Sequence, residues 1–200
     1  MSIDAQKLID ELIDNINIIN STDIPSIDLY MDQVTTFMER HLSTSKRYED
    51  DKILTKTMIN NYAKNHLLPP PDKKRYSKEH VIMLVFIYYF KNIMSINDIK
   101  TILNPLAEKY FKNTSDYSLE DIYDEIFNLE KDRQMNLSEE LSKCLEQSHE
   151  TFSDCKESDK EFLQLFSLIC ILSYDTYIKK QLIEKIIDQI AKHQESDTQK

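Results

Sequence analysis

Residues 54–77 read LTKTMINNYAKNHLLPPPDKKRYS, and the rest of the chain is interpreted around them. Thr55 is a good N-cap, and the apolar residues after it recur at three- and four-residue spacing, which predicts a helix over residues 56–65. Three consecutive prolines stop this helix, because proline has no backbone N–H and fixes φ. The Asp-Lys-Lys-Arg run after them is typical of a turn. The stretch therefore predicts a short helix, a stiff connection and a basic wing over residues 72–77.

The predicted helix has one apolar face and one polar face. Its apolar side chains belong to Met58, Ile59, Tyr62 and Ala63. Its polar side chains are those of Lys56, Thr57, Asn60, Asn61 and Lys64. In a major groove, either asparagine can pair with adenine, and the threonine can contact a thymine methyl group or a phosphate. The predicted phosphate contacts are Lys64, Lys73, Lys74 and Arg75, and Tyr76 is the one aromatic residue expected at a nucleic-acid surface.

Positive charge is concentrated in this part of an acidic chain. The whole protein carries −10. Residues 52–78 contain seven Lys or Arg and one acidic residue, a net +6, which leaves −16 on the other 173 residues. A solvated surface is the ordinary explanation of a basic run. Because this run coincides with a helix and a wing, we favour a phosphate-binding patch, whose acidic surroundings suppress non-specific association.

These residues resemble two protein families. The segment TKTMINNYAKNHLLPPPDKKRYSKEHV, residues 55–81, resembles the core of a MerR-type winged helix, with a recognition helix that ends in a tyrosine and a basic wing closed by Arg-Tyr-Ser. Together with IYYFKNIMSINDIKTIL, residues 87–103, it is similar to a bacterial family known as domain of unknown function 1836, some of whose members act as transcriptional repressors. The resemblance covers about residues 24–104 and implies a DNA-binding repressor.

The chain departs from the MerR-type pattern at three places. His66 stands where glycine is usual, and Asn60 stands where arginine is usual. We expect His66 to adopt the left-handed conformation, which histidine tolerates better than most residues. The missing arginine removes one expected backbone contact. A polar loop over residues 43–52 replaces a tight turn, and the sequence does not predict its role.

Composition predicts a mainly α protein, because the chain has no glycine and few other helix breakers. We expect a MerR-like winged helix-turn-helix domain followed by an all-α helical bundle. The predicted parts are a docking helix in 1–22, the DNA-binding domain in 23–104, a dimerisation or effector domain in 105–193 and a disordered tail in 194–200. Asn104-Pro105 is expected to end one helix, and Asn104 can equally cap a short helix that has Pro105 at its first position. Separate bundle helices are expected to begin near residues 118, 137, 158 and 177, with Phe162–Leu172 as the central one.

Several function classes are disfavoured. Without glycine there is no phosphate loop, dinucleotide fingerprint or nucleophile elbow. Glu146 and His149 form a lone Glu-x-x-His pair, for which a solvated surface is the better explanation than a metal site. The three cysteines show no CxxC spacing, and Cys170 lies in an apolar run that suggests a core thiol. We predict no enzyme, cofactor or metal, and the absence of a signal peptide or membrane span predicts a cytoplasmic protein.

The leading interpretation is a homodimeric transcriptional regulator, a repressor, whose partner is double-stranded DNA. The alternative is a protein-interaction module that uses a MerR-like winged helix to bind an acidic protein without binding DNA. The apolar faces of residues 1–19 and 175–191 are the two candidates for the dimer seam, and nothing in the sequence names an effector.

Overall fold

The computed structural model describes residues 3–16, 18–112 and 116–198. Within these residues the protein is mainly helical, as predicted, and has a two-stranded sheet. The helices are α1 (Ala5–Asp14), α2 (Met31–Leu42), α3 (Lys56–Lys64), α4 (Lys78–Phe90), α5 (Ile96–Tyr110), α6 (Leu119–His149) and α7 (Glu157–Thr198). The strands are β1 (Leu29–Tyr30) and β2 (Arg75–Tyr76), and 3-10 turns cover Ser21–Asp23 and Ser43–Ser45. The chain separates into a helical unit, residues 1–16 and 129–182, and a central unit, residues 17–128 and 183–200.

Side-chain caps start three helices of the central unit where the sequence predicted them. Thr55 Oγ1 accepts a hydrogen bond from the backbone N–H of Met58 at 3.1 Å, at the start of α3. Ser95 Oγ accepts one from Asp98 N–H at 3.1 Å, at the start of α5. At the start of α4, the backbone N–H of Ser77 donates to Nδ1 of His80 at 3.0 Å. Each cap satisfies a backbone group that has no partner inside its helix, so the predicted starts are confirmed.

Helix α4 lies at the centre of the core of the central unit. Every side chain from His80 to Tyr88 is buried, as the nearly unbroken apolar sequence predicted. Helices α2, α3 and α5 contribute buried side chains to the same core, namely Val34, Met38, Ile59, Ile99 and Leu103. Burying one aliphatic side chain contributes about 1.5–3 kcal/mol. The position of α3 is therefore fixed by packing.

The central unit continues past residue 104, which is the predicted end of the DNA-binding domain. Leu119 and Tyr123 in the first turns of α6 are buried in the same core as α4. The hydroxyl of Tyr123 donates to the backbone carbonyl of Ile19 at 2.6 Å. Burial raises the pKa of Tyr123, so this hydroxyl stays a neutral donor. The start of α6 is thus part of the central unit.

The prediction that a helix ends at Pro105 is wrong. Helix α5 continues to Tyr110 with Pro105 in its interior. A proline there leaves the carbonyl of Thr101 without its helical donor. The side-chain amide of Gln194 donates to this carbonyl at 3.3 Å and offsets part of the loss. Gln194 was expected in a disordered tail, but α7 continues through it to Thr198.

Helices α6 and α7 are continuous, although shorter, separate helices are predicted from the sequence. Neither contains a glycine or a proline, so nothing in their sequences stops the helical backbone. The stretch 162–172 is not a central, buried helix, because Phe162 and Phe166 are 70% and 52% exposed. The last two residues of the expected tail, 199–200, lie outside the described residues.

The N-terminal helix packs on α6 and α7 inside the helical unit. Ala5 and Ile9 of α1 lie against a small cluster formed by Cys144, Leu145 and Leu168. The backbone N–H of Ile3 donates to Glu161 Oε1 at 2.9 Å. Helix α1 is shorter than predicted and ends at Asp14.

Candidate nucleic-acid interface

The outer face of α3 is exposed along its whole length. All five residues predicted to read DNA have exposed side chains: Lys56, Thr57, Asn60, Asn61 and Lys64. On the opposite face, Ile59 is fully buried and Tyr62 is 8% exposed. This division follows from the helical spacing of the apolar residues, which turns one side of α3 to the core. The helix therefore presents two cations, one hydroxyl and two amides to solvent.

A left-handed residue ends α3, as the sequence predicted. His66 has φ 58°, and the helix ends two residues earlier at Lys64. The backbone N–H groups of Leu67 and Leu68 donate to the carbonyl of Tyr62 at 2.9 and 3.2 Å, which satisfies a carbonyl of the last turn. Leu67 and Leu68 are both buried. The exit from α3 is thus anchored before the prolines begin.

The basic turn, residues Asp72–Arg75, is a tight reversal of type I′. Arg75 N–H donates to the Asp72 carbonyl at 2.8 Å, and Lys73 and Lys74 have φ 47° and 66°. Both central residues of a type I′ turn need positive φ, so asparagine and glycine are usual there. Two lysines in this conformation cost of order 1–2 kcal/mol each. Both lysine side chains are exposed at the tip.

Tyr76 does not lie at the surface, so this part of the site prediction is wrong. β1 and β2 pair antiparallel, with Leu29 opposite Tyr76 and Tyr30 opposite Arg75. Neighbouring residues of a strand point to opposite faces of a sheet. Leu29 and Tyr76 therefore point inward, at 5% and 3% exposed, and burial raises the pKa of Tyr76. The exposed aromatic side chain of this sheet is Tyr30, at 59%.

The segment from Tyr30 to Asp32 joins the basic turn to the start of α3. Tyr30 is the ladder partner of Arg75, the last residue of the turn. Two residues later, the Asp32 carboxylate forms an ion pair with the ammonium of Lys56. The first residue of α3 and the base of the turn thus both contact one short piece of chain. Sequence reasoning missed Tyr30 and Asp32, since the pairing of β1 with β2 links residues far apart in the chain.

Some cations of the basic stretch are paired and others are not. Lys56 pairs with Asp32, and Lys78 lies 2.6 Å from Glu120 Oε1 with most of its side chain buried. Besides Lys52, four other cations of residues 52–78 form no ion pair with any residue that the structure describes: Lys64, Lys73, Lys74 and Arg75. These four are the predicted phosphate contacts. The usable positive charge is therefore on the end of α3 and the basic turn.

His80 ties the proline connection to the start of α4. Its Nδ1 accepts a hydrogen bond from Ser77 N–H at 3.0 Å, so the ring proton is on Nε2, which lies 3.4 Å from the Pro70 carbonyl. Burial lowers the pKa of His80, opposed by the Pro70 carbonyl and by Glu79, while Lys112 lowers it further. The neutral ring therefore caps α4 and holds the chain that leads into the basic turn.

The polar loop over residues 43–52 packs on α4 within the central unit. Ser45 Oγ lies within hydrogen-bond distance of the hydroxyl of Tyr88 in α4. The carboxylate of Asp51 accepts hydrogen bonds from the backbone N–H groups of Arg47 and Tyr48 at 3.2 and 3.0 Å. These contacts hold the loop, which connects α2 to α3 along the chain, against α4 and give it a structural role.

Other candidate sites offer little. Among the described residues, no group of three or more His, Cys, Asp or Glu side chains could hold a metal ion. The expectation that Cys170 is a core thiol is wrong, because Cys170 is exposed. Cys144 is the buried thiol, and burial raises its pKa. The described helices include none with the length and apolar character needed to cross a bilayer.

The central unit has a family match. Residues 19–126, more than half of the 200-residue chain, match the family described as Domain of unknown function (DUF1836). The match spans α2 to α5 and includes every predicted site residue. No curated protein and no solved structure matches the chain. The protein is therefore a member of the DUF1836 family.

Proposed function

We propose that this protein is a dimeric, sequence-specific DNA-binding regulator and acts as a transcriptional repressor. Its central unit would work as a MerR-like winged helix-turn-helix, with α3 as the recognition helix and the basic turn as the wing. One observation carries the proposal. The exposed polar face of α3 and the basic turn both contact residues 30–32. Helix α3 does so through the Asp32–Lys56 ion pair, and the turn through the Tyr30–Arg75 ladder pair.

The chemistry of α3 suits the major groove. A groove about 12 Å wide admits one helix, and an asparagine amide can form two hydrogen bonds with adenine. Asn60 and Asn61 are both exposed for this role, and Thr57 precedes Asn60 by three residues on the same face. Lys64 at the end of α3 would bind a phosphate at the edge of the groove.

The basic turn suits the phosphate backbone. Lys73 and Lys74 occupy strained positive-φ positions that glycine would take without strain. Strain of this kind persists where it serves a function. Two exposed ammonium groups at the tip of a rigid turn would contact successive phosphates, and the half-exposed Arg75 would support them from the strand.

A second copy of the chain would supply a second reading helix. One small module rarely reaches the affinity of a regulator, whereas a dimer reads two half-sites that lie about one helical turn, or a multiple of it, apart. The net charge of −10 on the whole chain would limit non-specific association outside the basic stretch.

The test is selection of bound duplexes from a random library by the full-length protein. We expect enrichment of one motif in two inverted half-sites with fixed spacing. Asn60→Ala and Asn61→Ala should each relax specificity at one position of the half-site, and the exposed Asn136 in α6 provides a matched Asn→Ala control. Unchanged base composition after repeated rounds, with folded protein, would contradict the proposal.

The protein-interaction alternative is favoured by one observation. Two large apolar side chains, Ile27 and Tyr30, are 68% and 59% exposed beside the first strand. Exposed apolar side chains next to cations would suit an acidic protein with an apolar anchor. Under this alternative the protein would bind no duplex even at low salt.

A further inference from the structure

Helix α7 carries an exposed apolar stripe within the helical unit. Phe162, Phe166, Ile169 and Tyr177 are 70%, 52%, 60% and 56% exposed. No charged residue occurs from residue 162 to residue 174. The opposite side of the helix is occupied, since Leu168 is buried against the cluster that includes Cys144 and Leu145. The stripe is therefore a second apolar face that the fold of the helical unit does not use.

The stripe follows one line along the helix. Residues 162, 166, 169, 173 and 177 are spaced by four, three, four and four positions. At about 100° per residue they fall within an arc of about 80°, and they span about 22 Å along the helix axis. Phe162 and Phe166 stack with their ring centroids 6.4 Å apart. A continuous apolar seam of this kind is typical of a helix that packs on another helix.

Charged residues of opposite sign close the two ends of the stripe. Asp159 and Lys180 fall on the same helical face as Phe162 and Phe166, and both are exposed. The pattern is symmetric about the bond between residues 169 and 170. Asp159 and Lys180 are equally far from this point, as are Phe162 and Tyr177, and so are Phe166 and Ser173. When this stripe is paired with a copy that runs in the opposite direction, each of these residues therefore lies opposite its symmetric counterpart.

We propose that a second copy of the chain covers this stripe, with the two α7 helices antiparallel about a two-fold axis near residues 169 and 170. In this seam the ring of Phe166 lies over the small Ser173 of the other copy, and Phe162 faces Tyr177. Asp159 of each copy faces Lys180 of the other. Every contact occurs twice, as an isologous interface requires. The seam explains the dimer of the proposed function, and it does not depend on DNA binding.

Sedimentation velocity of the full-length protein over a range of concentrations tests this seam. We expect the wild type to sediment as a dimer, with twice the 23.7 kDa mass of one chain. Phe166→Glu should raise the dimer Kd by at least about 100-fold, because the charge would be buried at the centre of the seam. Ser173→Phe should act likewise by crowding the partner's ring. Leu182→Glu is the matched control, since Leu182 is 59% exposed on the same helix but lies off the stripe.

The end charges test the antiparallel arrangement. Asp159→Lys or Lys180→Asp alone should raise the dimer Kd by about tenfold, and the double variant should restore it. In a parallel seam Asp159 would face Asp159 of the other copy, so the double variant would not restore the affinity that either single variant loses. A monomeric wild type, or a dimer that Leu182→Glu breaks and Phe166→Glu does not, would overturn the proposal. Loss of duplex binding by an intact dimer would count against the proposed function alone.

Discussion

The carboxylate of Asp32, in the first turn of α2, forms an ion pair with the ammonium of Lys56, the first residue of α3. Both side chains are largely exposed, at 74% and 61%. An exposed pair contributes at most about 1 kcal/mol to stability. Its larger effect would be electrostatic, because Asp32 places a negative charge at the edge of the proposed phosphate-binding surface.

Removing this charge should strengthen DNA binding. Asp32→Asn leaves Lys56 unpaired, so we expect duplex affinity at low salt to rise by about two- to tenfold. The free energy of unfolding should change by less than about 1 kcal/mol. Fluorescence anisotropy and urea unfolding measure the two quantities. Glu146→Gln, which removes an exposed carboxylate from α6, should leave affinity nearly unchanged, and weaker binding by Asp32→Asn would count against this surface.

Replacing the two lysines of the basic turn by residues that suit its backbone should raise the stability of the protein and lower its affinity for DNA. Replacing Lys73 by Asn and Lys74 by Gly supplies the residues that a type I′ turn prefers, so the free energy of unfolding should rise by about 1–2 kcal/mol. Duplex affinity should fall, and the slope of log affinity against log salt should decrease by up to about two. Replacing both lysines by Gln is the control. It should lower affinity equally without the gain in stability, and unchanged affinity in both variants would exclude the turn from the interface.

The two tyrosines of the sheet should behave oppositely. Tyr30→Ser keeps a good N-cap for α2, so stability should change by less than about 1 kcal/mol. Duplex affinity should fall by about three- to tenfold, because Tyr30 is exposed beside Arg75 at the base of the basic turn. Tyr76→Ser should lower the free energy of unfolding by about 3–5 kcal/mol, because it leaves a cavity in the core. Thermal unfolding and anisotropy together separate these outcomes. A strongly destabilised Tyr30→Ser variant would mean that the register places the wrong residue inside.

Stability should depend on pH through His80. Burial lowers its pKa in the folded protein below the ordinary value of 6.5. Between the two pKa values the unfolded chain binds a proton that the folded protein does not. The free energy of unfolding should therefore decrease as pH falls below 6.5, by up to about 1.4 kcal/mol per pH unit. Above pH 6.5 His80 is mainly neutral in the folded and the unfolded chain, so its titration no longer lowers the free energy of unfolding.

His80→Gln isolates that contribution. Glutamine at the third helical position can still accept the hydrogen bond from Ser77 N–H, as in an ordinary capping box, but it does not titrate. The difference in unfolding free energy between wild type and variant should thus vary with pH below 6.5 and be constant above it. Chemical unfolding at a series of pH values gives both curves. Parallel curves through the acid range would show that His80 is not the responsible group.

Local features of the structure were predictable from the sequence. The start of α3 at Thr55, its exposed face and the left-handed His66 all depend on residues within a few positions of one another. The buried α4 followed from its apolar composition. Signals of this kind do not need knowledge of the tertiary structure.

Features that depend on distant residues were not predictable. Whether Tyr76 or Arg75 points inward is set by pairing with β1, and nothing near Tyr76 in the sequence reports that register. The cost of Pro105 inside α5 is partly offset by Gln194, from the other end of the chain, which donates to the Thr101 carbonyl that the proline leaves without a helical donor. The exposed stripe of α7 has the same composition as a buried helix, so composition alone assigned it to a core.

Binding of the full-length protein to a random-sequence duplex, followed by fluorescence anisotropy at increasing salt, tests the central claim most directly. Affinity should fall linearly with salt on a log–log scale, and Lys64→Ala should reduce the slope by about one. Lys143→Ala, which removes an exposed lysine from α6, should leave the slope unchanged. Absence of binding at low salt by folded wild-type protein, or equal slopes for the wild type and Lys64→Ala, would contradict the account.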